Sequence, residues 1–395
     1  MDFMFKVLDV ARFAIGTAAK AVSKVPVVEN HFHVNDRLNG PWPEGPFLWL
    51  HGASLGECRM LLNLSRFLQE DIGNCPKILI TTQKVEVLKF LKESGKNVEA
   101  AIAPADIPSA MKTFISQVKP LGLILGENEL WPGYLSSMRS ISIRPSVAIV
   151  SGRYHTSLPG IDFSSVGFAS MQTGGDLSRF LNVASRSNIS KMMIGGDWKL
   201  LPWVRKGESV KPAENPTVDT AFVSMHMAEW ASLCRMIVSS IKRQESVVLV
   251  PRRLTEIEAF RKALRDQELT VVEWPLVQKG AVSMVSQFGL TKDVFATART
   301  AVVGGSFSRG LGVHDFWEPL QAGVATCIGP FATGQKDAAT NLVNAGVMAQ
   351  LQSTAGYSKR NLPDPRLVST YLANERTKIQ DSYEQLLGFL KALLQ

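Results

Sequence analysis

Leu48-Trp49-Leu50-His51-Gly52-Ala53-Ser54-Leu55-Gly56-Glu57 is the stretch on which the fold reading turns. An apolar strand runs into a small-residue turn, and a carboxylate follows at the start of a helix. Enzymes of the α/β class present reacting groups in this way, at the carboxyl edge of a parallel sheet. Gly52 and Gly56 let the backbone turn sharply or approach a ligand closely. Ser54 is a suitable N-cap for the helix whose first turn holds Glu57. Two readings of Glu57 stay open at this point: a first-turn acid that suits the helix dipole, or a catalytic acid on the sheet's edge.

Working outward, strands and helices alternate along the whole chain. Strands are expected at Phe47–Leu50, Ile78–Thr82, Leu121–Leu125, Val147–Val150 and Met192–Ile194. After a polar, Pro/Gly-containing stretch, Arg205–Pro216, the alternation restarts with Ala221–Ser224, Val247–Val250, Leu269–Glu273, Ala301–Val303 and Val324–Ile328. Two successive α/β runs predict an α/β protein with two Rossmann-like domains, their parallel sheets facing a central cleft. The expected divisions are an amphipathic helix over 1–30, a first domain over 31–204, a linker over 205–217, a second domain over 218–370 and a C-terminal helix over 371–395. That helix belongs to a long tail, Pro365–Gln395, with a charged face. No internal repeat or low-complexity tract is evident.

A chain of 395 residues exceeds one ordinary core, which agrees with two domains. No apolar run is long enough to span a bilayer. Cys58, Cys75, Cys234 and Cys327 are scattered without metal spacing and read as reduced cytosolic thiols. His31 and His33 flank Phe32 with no third ligand nearby, so a surface loop is favoured over a metal site. The net charge of +8 calls for an anionic partner. The basic residues are spread thinly and match no nucleic-acid module, so phosphorylated small molecules or an anionic membrane surface fit better. Met1–Lys24 carries Phe3, Met4, Val7, Leu8, Ala11, Ala14 and Ile15 on one helical face, with Lys6, Arg12, Lys20 and Lys24 interspersed. Such a helix suits lying on an anionic membrane; packing on its own domain is the alternative.

Four further segments carry chemistry. Glu127-Asn128-Glu129-Leu130-Trp131-Pro132 places two acids just past a strand end, where unpaired carboxylates are costly and tend to be paired or used. Helix capping by Asn128 does not explain both acids. Gly195-Gly196-Asp197-Trp198-Lys199 is a strand-turn whose lysine either neutralises a leaving phosphate or is simply solvated. Val303-Gly304-Gly305-Ser306 opens a Gly/Ser-rich loop that runs through His314-Asp315-Phe316-Trp317-Glu318 into an acid-bearing helix. Its N–H groups suit phosphate, although it is neither a Walker loop nor a GxGxxG fingerprint. Pro251-Arg252-Arg253 ends a strand with guanidinium groups suited to phosphate or carboxylate.

In this order, the segments resemble the 3-deoxy-D-manno-octulosonic acid (Kdo) transferases of lipopolysaccharide synthesis, from about Leu48 to about Gly346. The resemblance implies a GT-B fold. His51…Ser54-Leu55-Gly56-Glu57 looks like the family's HxxSxGE element, whose glutamate is the general base. Glu127-Asn128-Glu129-Leu130-Trp131-Pro132 looks like its ETELWP element, whose first acid supports the transition state. Lys199 falls on the lysine that assists the departing phosphate, and Arg153 sits where the family has Asn-Ala-Arg. Pro251-Arg252 resembles the PRH element that contacts the cytidine nucleotide. Phe288-Gly289-Leu290 takes the place of MGE. His314-Asp315-Phe316-Trp317-Glu318 takes that of HNPLE, whose glutamate is expected on the ribose. Ser54, Gly56, Arg153, His226, Gly304, Gly305, Ser306 and His314 complete the expected substrate and loop positions.

The chain also departs from the family's pattern. Leu290 stands for Glu, Asp315 for Asn and Arg253 for His. Gly334 falls near a family Asn, Ser308–Val313 carries one extra residue, and Gln83-Lys84-Val85-Glu86 replaces TxTG. First-domain acids are kept while donor-side details drift. The resemblance implies an inverting transfer of Kdo from CMP-Kdo to a phosphorylated lipid A precursor at the cytoplasmic face of the inner membrane. No Asp-x-Asp metal motif is evident, so catalysis with no cofactor or obligatory bound metal is expected. The alternatives are a GT-B transferase with another nucleotide sugar or lipid acceptor, and a non-catalytic homologue that binds lipid.

Overall fold

The structure, a computed structural model, describes residues 33–154, 161–184, 189–210, 212–352 and 362–395. The expected N-terminal amphipathic helix and His31 lie outside the described residues. The chain divides into two compact units. One is built from the chain through Arg205 together with Glu375–Gln395, the other from Lys206–Asn374.

The first unit holds a seven-stranded sheet: β1 (Phe47–His51), β2 (Ile78–Thr82), β3 (Glu99–Ile102), β4 (Pro120–Gly126), β5 (Val147–Gly152), β6 (Val166–Met171) and β7 (Lys191–Ile194). Its order is β3-β2-β1-β4-β5-β6-β7, with every pair parallel. The strands β1, β2, β5 and β6 are buried along their whole length, because helices cover both faces of a parallel sheet. Trp49 anchors the core, its ring centroid 4.6 Å from Phe114 and 4.9 Å from Tyr134. The strand order reverses between β1 and β4, and the ends of those two strands deliver His51 and Glu127.

The second unit repeats the architecture with β8 (Val218–Met225), β9 (Val247–Pro251), β10 (Val271–Glu273), β11 (Val282–Met284), β12 (Ala298–Val303), β13 (Ala325–Ile328) and β14 (Met348–Gln350). The order is β10-β11-β9-β8-β12-β13-β14, again all parallel. Here the reversal falls between β8 and β12, whose ends lead into His226 and Gly304. Phe222, Phe260, Leu249 and Val302 are among its core.

Four strands escape the sequence reading. β3, β11 and β14 are three or four residues long, too short to show a period. β6 carries Gly167 near its start, and a glycine weakens a strand pattern. A Cβ there would stand 2.5 Å from the Phe389 ring, so the glycine exists to let the C-terminal helix approach the sheet. That helix, Pro365–Leu394, fills the expected helical tail Pro365–Gln395 and packs on the first unit. Ile379, Tyr383, Leu386 and Leu390 are buried, and Glu375–Gln395 belongs to the first unit. Arg205 is not linker: it closes the helix Leu201–Arg205, where Asp71 and Glu70 hold its guanidinium at 3.1 and 3.4 Å.

Candidate active site

In the first unit, the turn after β1 forms a capping box. Ser54 is the N-cap of the helix Leu55–Asp71, its hydroxyl accepting from Glu57 N at 3.2 Å. Glu57 Oε2 accepts in return from Ala53 N at 2.7 Å and Ser54 N at 3.2 Å. Only one carboxylate oxygen is used. Oε1 has no hydrogen-bond partner among the described residues, and Glu57 as a whole is 7% exposed. Capping and catalysis are therefore not rivals here, because the box fixes the carboxylate in one orientation and leaves an oxygen available.

Glu127 follows β4 with φ of 50°, a left-handed conformation that a non-glycine residue holds only when its surroundings impose it. Its carboxylate is buried between two cations: Lys199 Nζ lies 2.7 Å from Oε1, and the Arg153 guanidinium pairs with Oε2. Lys199 also reaches the helix start that bears Glu57, since a Cβ on Gly56 would stand 3.5 Å from Lys199 Cε. Gly56, Glu57, Glu127, Arg153 and Lys199 thus converge from four separate segments. Lys199 and Arg153 balance the buried Glu127 carboxylate at the turn beside Glu57.

The second acid of the pair has its own chain of contacts. His51 Nε2 is 3.2 Å from Glu129 Oε2, and the Trp131 indole donates to the same oxygen at 2.7 Å. Behind the imidazole, His51 Nδ1 is 2.9 Å from Thr81 Oγ1, which accepts from the Trp49 indole at 2.8 Å. Burial pushes the Glu129 carboxyl up, but the hydrogen bond and charge of His51 and the Trp131 indole outweigh it, leaving the group below the usual range. His51 and Glu129 are quoted in both sequence elements, yet only the pairing of β1 beside β4 puts them in contact. Burial pushes the Cys58 thiol up to about 12, so this neighbour of Glu57 stays protonated.

In the second unit, the Gly-rich loop after β12 differs from its sequence reading. The N–H groups of Gly305 and Phe307 are not open to phosphate: they donate to Glu229 Oε2 and Oε1, each at 2.9 Å. Glu229 is 1% exposed and also accepts from His226 N at 3.1 Å. The sequence reading passes over Glu229, although an acid three residues after the strand-end His226 is the signal of a capping arrangement. Gly304 is required by close packing, since its Cβ would meet Ser224 O at 2.2 Å. Ser306 is fully buried, donating to Val303 O and accepting from Gly329 N, so it shapes the loop rather than facing a substrate.

Asp315, Phe316 and Trp317 also serve the fold. Asp315 Oδ1 accepts from Trp317 N at 2.8 Å, while Phe316 and Trp317 are 0% and 3% exposed. Glu318 carries a weak contact from Thr291 at 3.5 Å. Arg252, after the buried Pro251, and Phe288 and Gly289 are exposed, and Leu290 is half-buried. His226 and His314, 88 residues apart, meet Nε2 to Nε2 at 2.7 Å. Burial, then the charges of Arg252 and His226, push His314 down to about 4. His33 pairs with Asp36 at 3.5 Å. Among the described residues no group of three or more His, Cys, Asp or Glu side chains is placed to hold a metal ion. None of the described helices is long and apolar enough to cross a membrane.

Residues 25–161 match the family model described as 3-Deoxy-D-manno-octulosonic-acid transferase (kdotransferase). The chain is 26% identical over 328 residues to the 3-deoxy-D-manno-octulosonic acid transferase of Chlamydia pneumoniae, covering 77% of this chain and 74% of that protein. It is 23% identical over 346 residues to the protein of the same name from Aquifex aeolicus, covering 86% and 90%. Among solved structures, MurG of Acinetobacter baumannii superimposes with a TM-score of 0.50 at 10% identity, over 88% of this chain and 100% of that one. At that identity the likeness speaks for the fold alone. The paired all-parallel sheets and these relatives together place the chain in the GT-B glycosyltransferase superfamily.

Proposed function

We propose that the protein is an inverting glycosyltransferase that moves Kdo from CMP-Kdo to a phosphorylated lipid A precursor. The observation that carries this reading is the convergence of Glu57, Glu127, Arg153 and Lys199 at the carboxyl edge of the first sheet. Glu57 Oε1 takes the proton of the attacking acceptor hydroxyl, whose oxygen bonds to the anomeric carbon of the donor. The bond from that carbon to the phosphate oxygen breaks, and its electron pair leaves with CMP. The cations around Glu127 favour the anionic groups gathered there. Arg252, Phe288, Gly289 and Asp315 are exposed donor-side residues open to the nucleotide. The same reading assigns the protein peripherally to the cytoplasmic face of the inner membrane, with the surplus of +8 drawing it to anionic lipid.

Incubation with CMP-Kdo and the tetra-acylated precursor, followed by mass spectrometry of the lipid, is expected to show a Kdo-modified product and free CMP. Glu57→Gln is expected to lower the rate by about 10²–10⁴. A wild-type protein that binds both substrates and yields no product would sink the assignment. A second reading keeps the transferase and changes the nucleotide. Asp315 Oδ1 accepts from Trp317 N where the family has Asn, and Leu290 offers no carboxylate where the family has Glu. Competition in which UDP or GDP displaces CMP decides for it.

A further inference from the structure

Lys199 stands on a short turn, and a lysine stem has four carbons of its own freedom. Its aim at Glu127 therefore depends on how firmly the turn is seated. The C-terminal helix forms that seat. Glu375, Ile379, Ser382 and Tyr383 share one helical face, at spacings of i, i+4, i+7 and i+8. The contact is close enough to exclude side chains. A Cβ at Gly195 would stand 2.0 Å from Ser170 Oγ and 2.3 Å from Ser382 Oγ, and Ser382 donates to Ser170 at 2.6 Å. At Gly196, where φ is +69°, a Cβ would stand 2.8 Å from Glu375 Oε2 and 3.1 Å from Ile379 Cγ1. The buried Trp198 ring lies 6.1 Å from that of Tyr383.

Beyond this seat, Asp197 Oδ1 accepts from Lys199 N at 3.0 Å and from Ser151 Oγ at 3.3 Å. These bonds brace the single 3-10 turn Trp198–Leu200, from which Lys199 Nζ reaches to within 2.7 Å of Glu127. Glu375 is 5% exposed, with Lys378 Nζ at 2.7 Å as its ion partner. An apolar residue would cover a glycine turn at lower desolvation cost than this carboxylate does.

We propose that Glu375 and Ser382 are positioning residues, which hold the Gly195–Asp197 turn so that Lys199 is locked onto Glu127. The effect on rate rests on the transferase reading above; the effect on Lys199 itself does not. The test uses the full chain with Glu375→Ala, which removes the side chain packed on Gly196, and Ser382→Val. Steady-state transfer is measured alongside acetylation of Lys199 by acetic anhydride, read by mass spectrometry against the exposed Lys89. Both variants are expected to lose about tenfold in kcat with KM for either substrate unchanged. Lys199 is expected to acetylate severalfold faster once it is released from Glu127. Folded variants with unchanged Lys199 labelling overturn the inference and leave the transferase reading intact. Should Ser382→Val not fold, Ser382→Ala removes the same hydrogen bond without added bulk and carries the same expectation. Faster Lys199 labelling in a protein whose wild type transfers nothing supports the positioning while ending the transferase reading.

Discussion

Glu57 and Ser54 occupy one hydrogen-bonded box, but the box separates their contributions. Glutamine at position 57 still offers a side-chain oxygen to the N–H groups of Ala53 and Ser54. Glu57→Gln is therefore expected to hold the urea midpoint of the wild type while activity collapses. Ser54→Ala does the reverse in stability: it removes the N-cap acceptor and is expected to cost about 1 kcal/mol in urea unfolding. Equal losses of stability in the two variants would show that Glu57 is structural only. The composition of this site was legible in the sequence, since Glu57, Glu127, Arg153 and Lys199 all stand in recognisable segments. Their pairings were not. Sequence spacing cannot show that Lys199 and Arg153 both turn onto Glu127, because β5 and β7 must first take their places in the sheet.

At the level of elements, the loop after β12 behaves differently from its glycine content. Its N–H groups at Gly305 and Phe307 are satisfied by Glu229, from the segment after β8. Glu229→Ala leaves three buried donors, those of His226, Gly305 and Phe307, without an acceptor. At roughly 1–3 kcal/mol for each unpaired group, the second unit is expected to lose several kcal/mol, read by urea unfolding. Nucleotide affinity should fall with it, measured by calorimetry. A neutral effect would mean that the loop's shape is set elsewhere.

The same unit should respond to acid through His226 and His314. The folded value of His314, about 4, lies below its ordinary 6.5, and His226 is lowered too. Between those limits the unfolded chain binds more protons, so stability rises with pH across the window and is lost as pH falls from about 6.5 towards 4. Melting temperatures over that range should fall steeply in wild type and less so in His314→Gln. Parallel slopes would remove the pair as the cause.

Over the whole molecule, the C-terminal helix is part of the first unit rather than an appendage. Truncation after Asn374 removes the buried side chains of Ile379, Tyr383, Leu386 and Leu390, each contributing roughly 1.5–3 kcal/mol. That total rivals the whole stability of an ordinary domain. The truncated chain is expected to be insoluble or to lose its cooperative thermal transition; a soluble, cooperatively folding product would contradict the packing described here.

The sequence by itself determined the class of fold and the catalytic candidates. The fold reading depends on local properties: runs of apolar residues long enough to be strands, and small-residue turns followed by acids. Arg153 and the roles of Glu57, Glu127 and Lys199 came from the resemblance to the Kdo transferases. The tertiary structure alone decided which of those candidates meet and which are already occupied. Glu57 keeps one oxygen open, whereas Glu229 closes the loop that its glycines seemed to leave free, and Glu375 arrives at the Lys199 turn from 179 positions further along the chain. Hydrogen bonds and ion pairs form between groups that are near in space. A chain order that returns its last helix to its first sheet brings together residues that no local pattern relates.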